Sequence, residues 1–201
     1  MSAQRSAFAW GVAAAAHTGE EDSGDRHWVM MLGSALLLGV IDGLGHGHKA
    51  SSAAQRALDA LNQQPELDLM ALTARCHQAL MGTRGAVLSL AALDPTARSV
   101  TWLSVGNVAG LLLRANGATP KRVHLLLRGG VVGYRLPTLR TYTETLMAGD
   151  TLVLASDGLR SNFVERIPLD LEPQAIADHL LHHYARGTDD ATVLVARYLD
   201  Q

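Results

Sequence analysis

The sequence predicts an α+β layered sandwich. Two helical segments interrupt a long series of short β-type runs, and a third helical segment lies just before the last run. Most of the runs are joined by short turns rich in Gly, Asp and Pro, which is typical of antiparallel strands. No internal repeat, low-complexity tract or linker divides the 201 residues. Residues 1–201 are therefore expected to form a single domain.

The first half of the chain combines β-type runs with two amphipathic helices. Residues 7–16 are expected to form a strand, and the polar loop 18–25 follows it. The uncharged run 28–41 contains two glycines and several β-branched residues, which favours a buried strand or strand pair over a membrane span. Helices are expected over residues 48–61 and 66–81, where apolar residues recur at helical spacing.

The second half of the chain has mainly β-type texture. Turns such as Asp94-Pro95, Gly106-Asn107 and Gly149-Asp150 separate its short apolar runs. A last helix is expected over residues 173–185, before a final strand. The expected strands cover residues 86–93, 99–105, 109–113, 121–127, 141–146, 151–155 and 191–198.

Composition argues against several classes of function. Seventeen Lys and Arg against 19 Asp and Glu give a formal net charge of −2, which provides no electrostatic footprint for nucleic acid. The single cysteine, Cys76, rules out an internal disulfide or a thiolate zinc site and is expected to lie in the core. No apolar run reaches the about 20 residues of a membrane helix, and the N-terminus lacks a clear signal peptide. A cytoplasmic location is expected.

Four short motifs place an aspartate beside a small residue at the tip of a β-type run. Charge at the end of a buried strand is costly unless something compensates it. If the tips converge, their carboxylates repel one another, and a hard divalent cation would hold them together. Oxygen ligands without Cys or paired His favour Mg²⁺, Mn²⁺ or Ca²⁺ over Zn²⁺. The motifs are Ser23-Gly24-Asp25, Ile41-Asp42-Gly43, Ser156-Asp157-Gly158 and Thr188-Asp189-Asp190.

The order of the motifs resembles the metal-dependent protein phosphatase (PPM) family. Along the chain they read SGD, DGLGHG before an Ala-rich helix, SVGN, LASDGL and DDATVLV. The likeness covers residues 7–198 and is greatest to the SpoIIE-like bacterial branch of serine/threonine phosphatases. Because the sequence shows no sensor or regulatory region, it resembles the RsbX-like group of stand-alone stressosome phosphatases more than RsbU or SpoIIE.

This resemblance implies a four-layer αββα sandwich of two antiparallel sheets, with two Mn²⁺ or Mg²⁺ ions at one end. Asp42 would bridge both ions, and Asp25 would share one ion with the carbonyl of Gly43. The other ion would be held by Asp157 and Asp189. The implied metal ligands are Asp25, Asp42, Gly43, Asp157 and Asp189, with Asp190 in reserve because a one-residue shift in alignment would exchange the last two.

Two such cations lower the pKa of a shared water, so that hydroxide can attack phosphorus without a protein nucleophile. The wider family places a histidine, the proposed acid, directly after the bridging Asp-Gly, where this chain has Leu44. His46 is a candidate acid, or a loop histidine that contacts backbone. Arg5 and Arg84 are candidates for the family's phosphate-binding arginine, and Asn107 is interpreted as a turn former.

The implied function is hydrolysis of phosphoserine or phosphothreonine in bacterial stress signalling. A phosphorylated STAS-domain protein of a stressosome is the expected partner, and an anti-sigma-factor antagonist, as in an RsbU- or SpoIIE-like role, is the alternative. A catalytically silent pseudophosphatase and a phosphatase of small metabolites remain further hypotheses. Neither nucleic acid nor membrane is expected as a partner.

Overall fold

Ten strands and three α-helices form the fold over residues 7–20, 22–115 and 121–199, which the computed structural model describes. The helices are α1 (His48–Gln63), α2 (Leu69–Leu80) and α3 (Pro173–Tyr184), and a 3-10 helix covers Ser161–Glu165. The strands are β1 (Phe8–Ala15), β2 (Asp25–Leu32), β3 (Ala35–Gly43), β4 (Ala86–Asp94), β5 (Ser99–Val105), β6 (Ala109–Leu113), β7 (Arg122–His124), β8 (Tyr142–Thr145), β9 (Thr151–Ala155) and β10 (Ala191–Tyr198).

The strands form two five-stranded antiparallel sheets. One sheet has the order β1-β10-β9-β6-β7, and the other has the order β2-β3-β4-β5-β8. Helices α1 and α2 pack on the second sheet, and α3 packs on the first. The predicted four-layer αββα sandwich is therefore confirmed.

Strand β3 shows why its part of the sequence is almost continuously apolar. Leu37 and Ile41 belong to the core beneath α1 and α2, whereas Leu36, Leu38 and Val40 belong to the core between the two sheets. Because helices cover one face and a second sheet covers the other, successive side chains are all buried. A third core lies between the first sheet and α3.

The apolar run 28–41 is the strand pair that the sequence allowed. Gly33 adopts a positive φ of 61° between β2 and β3, a conformation that suits glycine in a tight turn. The resulting register places Asp25, at the start of β2, directly opposite Asp42, near the end of β3. The hairpin thus brings two of the predicted acidic positions to one edge of the molecule.

Two predicted boundaries differ from the observed ones by three residues, each for a local reason. Helix α2 begins at Leu69 rather than at residue 66, because the Asp68 side chain caps it by accepting bonds from the N–H groups of residues 70 and 71. Of the strand predicted over residues 121–127, only Arg122–His124 is in the β ladder, the Leu125 N–H makes one further bond to the Gly110 carbonyl, and Leu126 and Leu127 are exposed.

The 3-10 helix Ser161–Glu165 was not predicted. None of the helices in the described ranges is long and apolar enough to span a bilayer.

Candidate metal centre

The four acidic motifs meet at one end of the sandwich. The first sheet contributes the loops at residues 156–158 and 187–190, which flank the paired strands β9 and β10. The second sheet contributes Asp25 and Asp42 from the β2–β3 hairpin. A cavity of about 600 Å³ opens there, with Asp42, Asp157 and Asp189 in its wall.

Asp25 is a buried carboxylate with too few donors. Its side chain is almost wholly enclosed, since only 4% of the residue is exposed. Oδ2 accepts a 2.6 Å hydrogen bond from the Ser156 hydroxyl, but Oδ1 has no partner among the described residues. Burial raises the pKa of Asp25 from the usual 3.8 to about 7, although side-chain hydrogen bonds from Ser156 and Thr192 act in the opposite direction. An unsatisfied buried oxygen of this kind is costly and calls for a further partner.

Asp42 lies in the most crowded electrostatic position of the site. Burial, followed by repulsion from four neighbouring carboxylates, raises its pKa to about 8. Negative charges nearby disfavour the ionised form of Asp42. The neighbouring carboxylates belong to Asp25, Asp157, Asp189 and Asp190. The fold therefore brings all the acidic residues singled out in the sequence into one group.

Asn107 has a partner in the site that sequence reasoning missed. Its side-chain amide donates a 2.7 Å hydrogen bond to Oδ2 of Asp157. Both residues line the cavity. Asn107 therefore orients an acidic side chain, in addition to lying in the turn after β5. The only sequence signal was the Val105-Gly106-Asn107 motif.

Asp189 and Asp190 have different environments. Both oxygens of Asp190 accept backbone N–H bonds, from His17 at 2.9 Å and from Gly24 at 2.7 Å. Asp190 is buried and ties together three segments of chain. Asp189 lines the cavity, and only its Oδ1 has a partner among the described residues, the N–H of Asp190.

The glycines beside two of the aspartates are required by close backbone packing. A Cβ atom at Gly43 would lie 2.1 Å from the carbonyl oxygen of Ala50, where α1 crosses the end of β3. A Cβ atom at Gly158 would lie 1.9 Å from the carbonyl oxygen of Asp190. No side chain fits in either place, so each Asp-Gly pair combines a polar group with a close approach of two chain segments.

Two histidines lie on the same cavity. Nδ1 of His46 is 3.1 Å from Oε1 of Glu20, and the His46 ring stacks on His17 with a centroid distance of 5.8 Å. Nδ1 of His17 is buried without a hydrogen-bond partner in the described part of the chain. His17 was not singled out in the sequence, because its position depends on the long-range pairing of β1 with β10.

The arginine candidates have different outcomes. Arg5 lies outside the described residues. Arg84 is exposed, and its Nη1 packs so close to Gly45 that a Cβ atom there would lie 2.6 Å away. Arg84 is thus at the rim of the acidic cavity rather than in its wall.

Within the described ranges, no group of three or more His, Cys, Asp or Glu side chains has an arrangement that could hold a metal ion as it stands. The acidic group is crowded without forming a closed coordination sphere. The ligand set therefore stays a prediction.

Comparison with known proteins identifies the relatives of this chain. The sequence profile of Stage II sporulation protein E (SpoIIE) matches residues 33–199. Phosphoserine phosphatase RsbX of Bacillus subtilis (strain 168) is 28% identical over 180 residues, which cover 89% of each chain.

Solved structures share the fold. A chain described under "The bacterial stressosome: a modular system that has been adapted to control secondary messenger signaling" has a TM-score of 0.85 at 28% identity, over 94% of this chain and 99% of that one. RsbX in complex with magnesium has a TM-score of 0.84 at 24% identity, over 94% of each chain.

These likenesses extend over nearly the whole sandwich, including all the acidic motifs from Asp42 onward. They confirm the expected likeness to the SpoIIE-like branch and to RsbX within it. The chain belongs to the SpoIIE family of PPM-type phosphatases.

Proposed function

We propose that this protein is a metal-dependent serine/threonine phosphoprotein phosphatase with water as the nucleophile. The observation that carries the proposal is the buried Oδ1 of Asp25, an acceptor without a donor in the described residues, at the base of a crowded group of carboxylates. A divalent cation would satisfy that oxygen and offset the repulsion together. Family membership supplies the class of reaction.

The donor chemistry of the residues present fits such a cation. Every candidate ligand atom is an oxygen, the donor that hard cations prefer. Two Mn²⁺ or Mg²⁺ ions are proposed, because four carboxylates and a carbonyl exceed what one small ion usually takes from protein. The proposed ligands are Asp25, Asp42, Gly43 through its carbonyl, Asp157 and Asp189, with Asp190 in reserve.

The hydrogen bonds support Asp189 over Asp190 as a ligand. Both Asp190 oxygens already accept backbone N–H groups, and releasing them would leave buried donors unpaired. Asp189 lines the cavity and keeps one oxygen without a partner in the described residues.

Side chains of this protein would prepare the site. When bound, the cations would activate water and neutralise charge on the phosphoryl oxygens. Ser156 and Asn107 each hold one oxygen of an acidic side chain and so leave the other oxygen to a cation. His46, oriented by Glu20, is the proposed proton donor to the leaving oxygen, because it lines the same cavity.

The proposed role is stress signalling of the RsbX type. The relative RsbX is named as a phosphoserine phosphatase, and a structural relative at 28% identity is described under the words "The bacterial stressosome". A phosphorylated STAS-domain protein of a stressosome is the proposed substrate, and an anti-sigma-factor antagonist is the alternative. A cytoplasmic location is proposed with this role. Retention of all four acidic motifs argues against a pseudophosphatase.

Phosphate release from a phosphoserine-bearing STAS protein tests the proposal. The intact protein should release phosphate with Mn²⁺ or Mg²⁺ and stop when EDTA is added. Asp42→Asn should lower kcat/KM by about 10²- to 10³-fold, because it weakens charge stabilisation at the reacting centre.

Asp170→Asn is the matched control, since Asp170 is exposed and lies outside the acidic group. Turnover that persists in EDTA, or in Asp42→Asn at the rate of Asp170→Asn, would refute the proposed function.

A further inference from the structure

A second groove, lined by basic side chains, lies next to the acidic cavity. It has a volume of about 460 Å³ and is formed by the first half of α1 and the loop between α2 and β4. Four of its lining residues are basic: His48, Lys49, Arg56 and Arg84. We call these four residues and the space between them the basic groove.

The cations of the basic groove are largely uncompensated. Lys49, Arg56 and Arg84 are exposed and make no ion pair or hydrogen bond within the described residues. At one end of the groove, Nδ1 of His48 lies 3.8 Å from Oδ2 of Asp22, and at the other Asp59 lines the adjoining pocket together with Arg56. The first turn of α1 carries no acidic residue either. This clustering of positive charge stands out in a chain whose net charge is −2.

The basic groove and the acidic cavity share a wall. Gly45 lines the cavity, and the guanidinium of Arg84, which lines the groove, packs directly against Gly45. A polypeptide that enters the cavity with one side chain can therefore continue over Gly45 into the basic groove.

We propose that the basic groove binds an acidic segment of the phosphoprotein substrate, next to the phosphorylated residue; this deepens the proposed function and depends on it for the identity of the substrate. Bound metal ions would at most neutralise the carboxylates of the cavity, so attraction of an acidic segment has to come from the uncompensated cations beside it. Complementary charge of this kind raises the association rate and lowers KM. A small phosphate ester occupies only the cavity and gains nothing from the groove.

Selectivity between two phosphopeptides tests the inference. One peptide carries Asp and Glu on both sides of phosphoserine, and the other has Asn and Gln in their place. At low salt, the wild-type protein should prefer the acidic peptide by about tenfold in kcat/KM, and 0.5 M salt should erode the preference. The double variant Lys49→Gln/Arg56→Gln should lose most of this preference.

Arg166→Ala is the matched control, because Arg166 is an exposed arginine beside α3, on the opposite outer layer. It should keep the full preference. Both side chains are exposed and glutamine keeps their first two methylenes, so a change in the double variant reports mainly the lost charge. Unfolding midpoints of both variants should equal that of the wild type.

A binding arm makes the result independent of turnover. A fluorescein-labelled acidic peptide without phosphate is titrated with the intact protein in EDTA, and its anisotropy is followed. The double variant should bind about tenfold more weakly at low salt. If the wild type hydrolyses neither peptide, the proposed function fails. The binding measurement still shows whether the basic groove binds an acidic peptide.

Equal peptide selectivity or equal affinity in the wild type and the double variant would overturn the inference. An equal loss in Arg166→Ala would also overturn it, as would displacement of the labelled peptide by millimolar inorganic phosphate alone, which would indicate a simple anion site.

Discussion

Asp150 and Asp25 are both buried carboxylates, but their surroundings differ in the number of donors. Asp150 is 0% exposed, and its two oxygens accept three bonds: 2.8 Å from Nη1 of Arg114, 2.9 Å from the N–H of Ala115 and 3.1 Å from the N–H of Met147. A cation and two backbone donors thus compensate one negative charge.

The donors to Asp25 are two hydroxyl side chains, Ser156 at 2.6 Å and Thr192, and its Oδ1 has no hydrogen-bond partner in the described residues. Its electrostatic neighbours are other carboxylates, Asp157 and Asp190 among them, instead of an arginine. Burial alone therefore does not indicate whether a carboxylate has a structural or a functional role. A carboxylate with a full set of protein donors stabilises the fold, whereas one with a deficit of donors among other acids is suited to bind a cation.

Asp150→Ala tests the carboxylate that has a full set of protein donors, and this variant should have the largest effect. The variant should lose about 3–5 kcal/mol of unfolding free energy, because Arg114 and two backbone N–H groups are left without their acceptor. Urea denaturation measures this loss, and the activity of the molecules that remain folded should be unchanged. A loss below about 1 kcal/mol would contradict the contrast.

Removal of metal at different pH values tests whether the acidic group that contains Asp25 binds a cation. The pKa values of Asp25 and Asp42 are raised from the usual 3.8 to about 7 and about 8. Between the usual value and these raised values, the folded metal-free protein therefore holds more protons than the unfolded chain. Its unfolding free energy therefore falls as pH rises through this range. A bound cation requires the ionised carboxylates, so the gain in stability from Mg²⁺ should grow with pH.

Unfolding midpoints at pH 6, 7 and 8, in EDTA and in saturating Mg²⁺, measure this gain. It should reach about 2–3 kcal/mol when the ion is about 100-fold above its Kd. Asp42→Asn should flatten the dependence on pH. A gain that shrinks between pH 6 and pH 8 would count against cation binding by these residues.

Asn107→Ala would test the outer partner of the acidic group and should have the smallest effect. Loss of the bond to Asp157 should reduce kcat/KM by about tenfold, since the carboxylate keeps its place but loses its orientation. Steady-state kinetics on a phosphoserine peptide provides the measurement. Asn162→Ala, at an exposed asparagine of the 3-10 helix, should retain wild-type activity. Equal activity of the two variants would leave Asn107 with only a turn-forming role.

Much of the fold could be predicted because its strands are short apolar runs bounded by turn residues. The strands Ser99–Val105, Ala109–Leu113, Thr151–Ala155 and Ala191–Tyr198 have the predicted bounds. The error at residues 125–127 has a physical reason. Their apolar side chains suit a strand, but a strand also needs a neighbour, and the hydrogen bonding of this segment with β6 ends with the bond from the Leu125 N–H to the Gly110 carbonyl.

The acidic residues could be predicted as a group, since each lies at the tip of a strand, but their separate environments could not. The neighbouring Asp189 and Asp190 look alike in sequence. Their difference arises from where His17 and Gly24 present their N–H groups, which depends on strand pairing. The single-domain organisation of residues 1–201 and the ligand set remain predictions.

In further members of the family, the glycines at 43 and 158 report inheritance of the fold, whereas the aspartates beside them report retention of the reaction. Both are required by the passage of one backbone against another, so a descendant that no longer hydrolyses anything would still need them. Asp42 and Asp157 carry no such steric obligation and can drift once selection for turnover ends. A sequence that retains both glycines but has exchanged the adjacent aspartates for neutral residues would therefore have inherited the architecture and discarded the reaction.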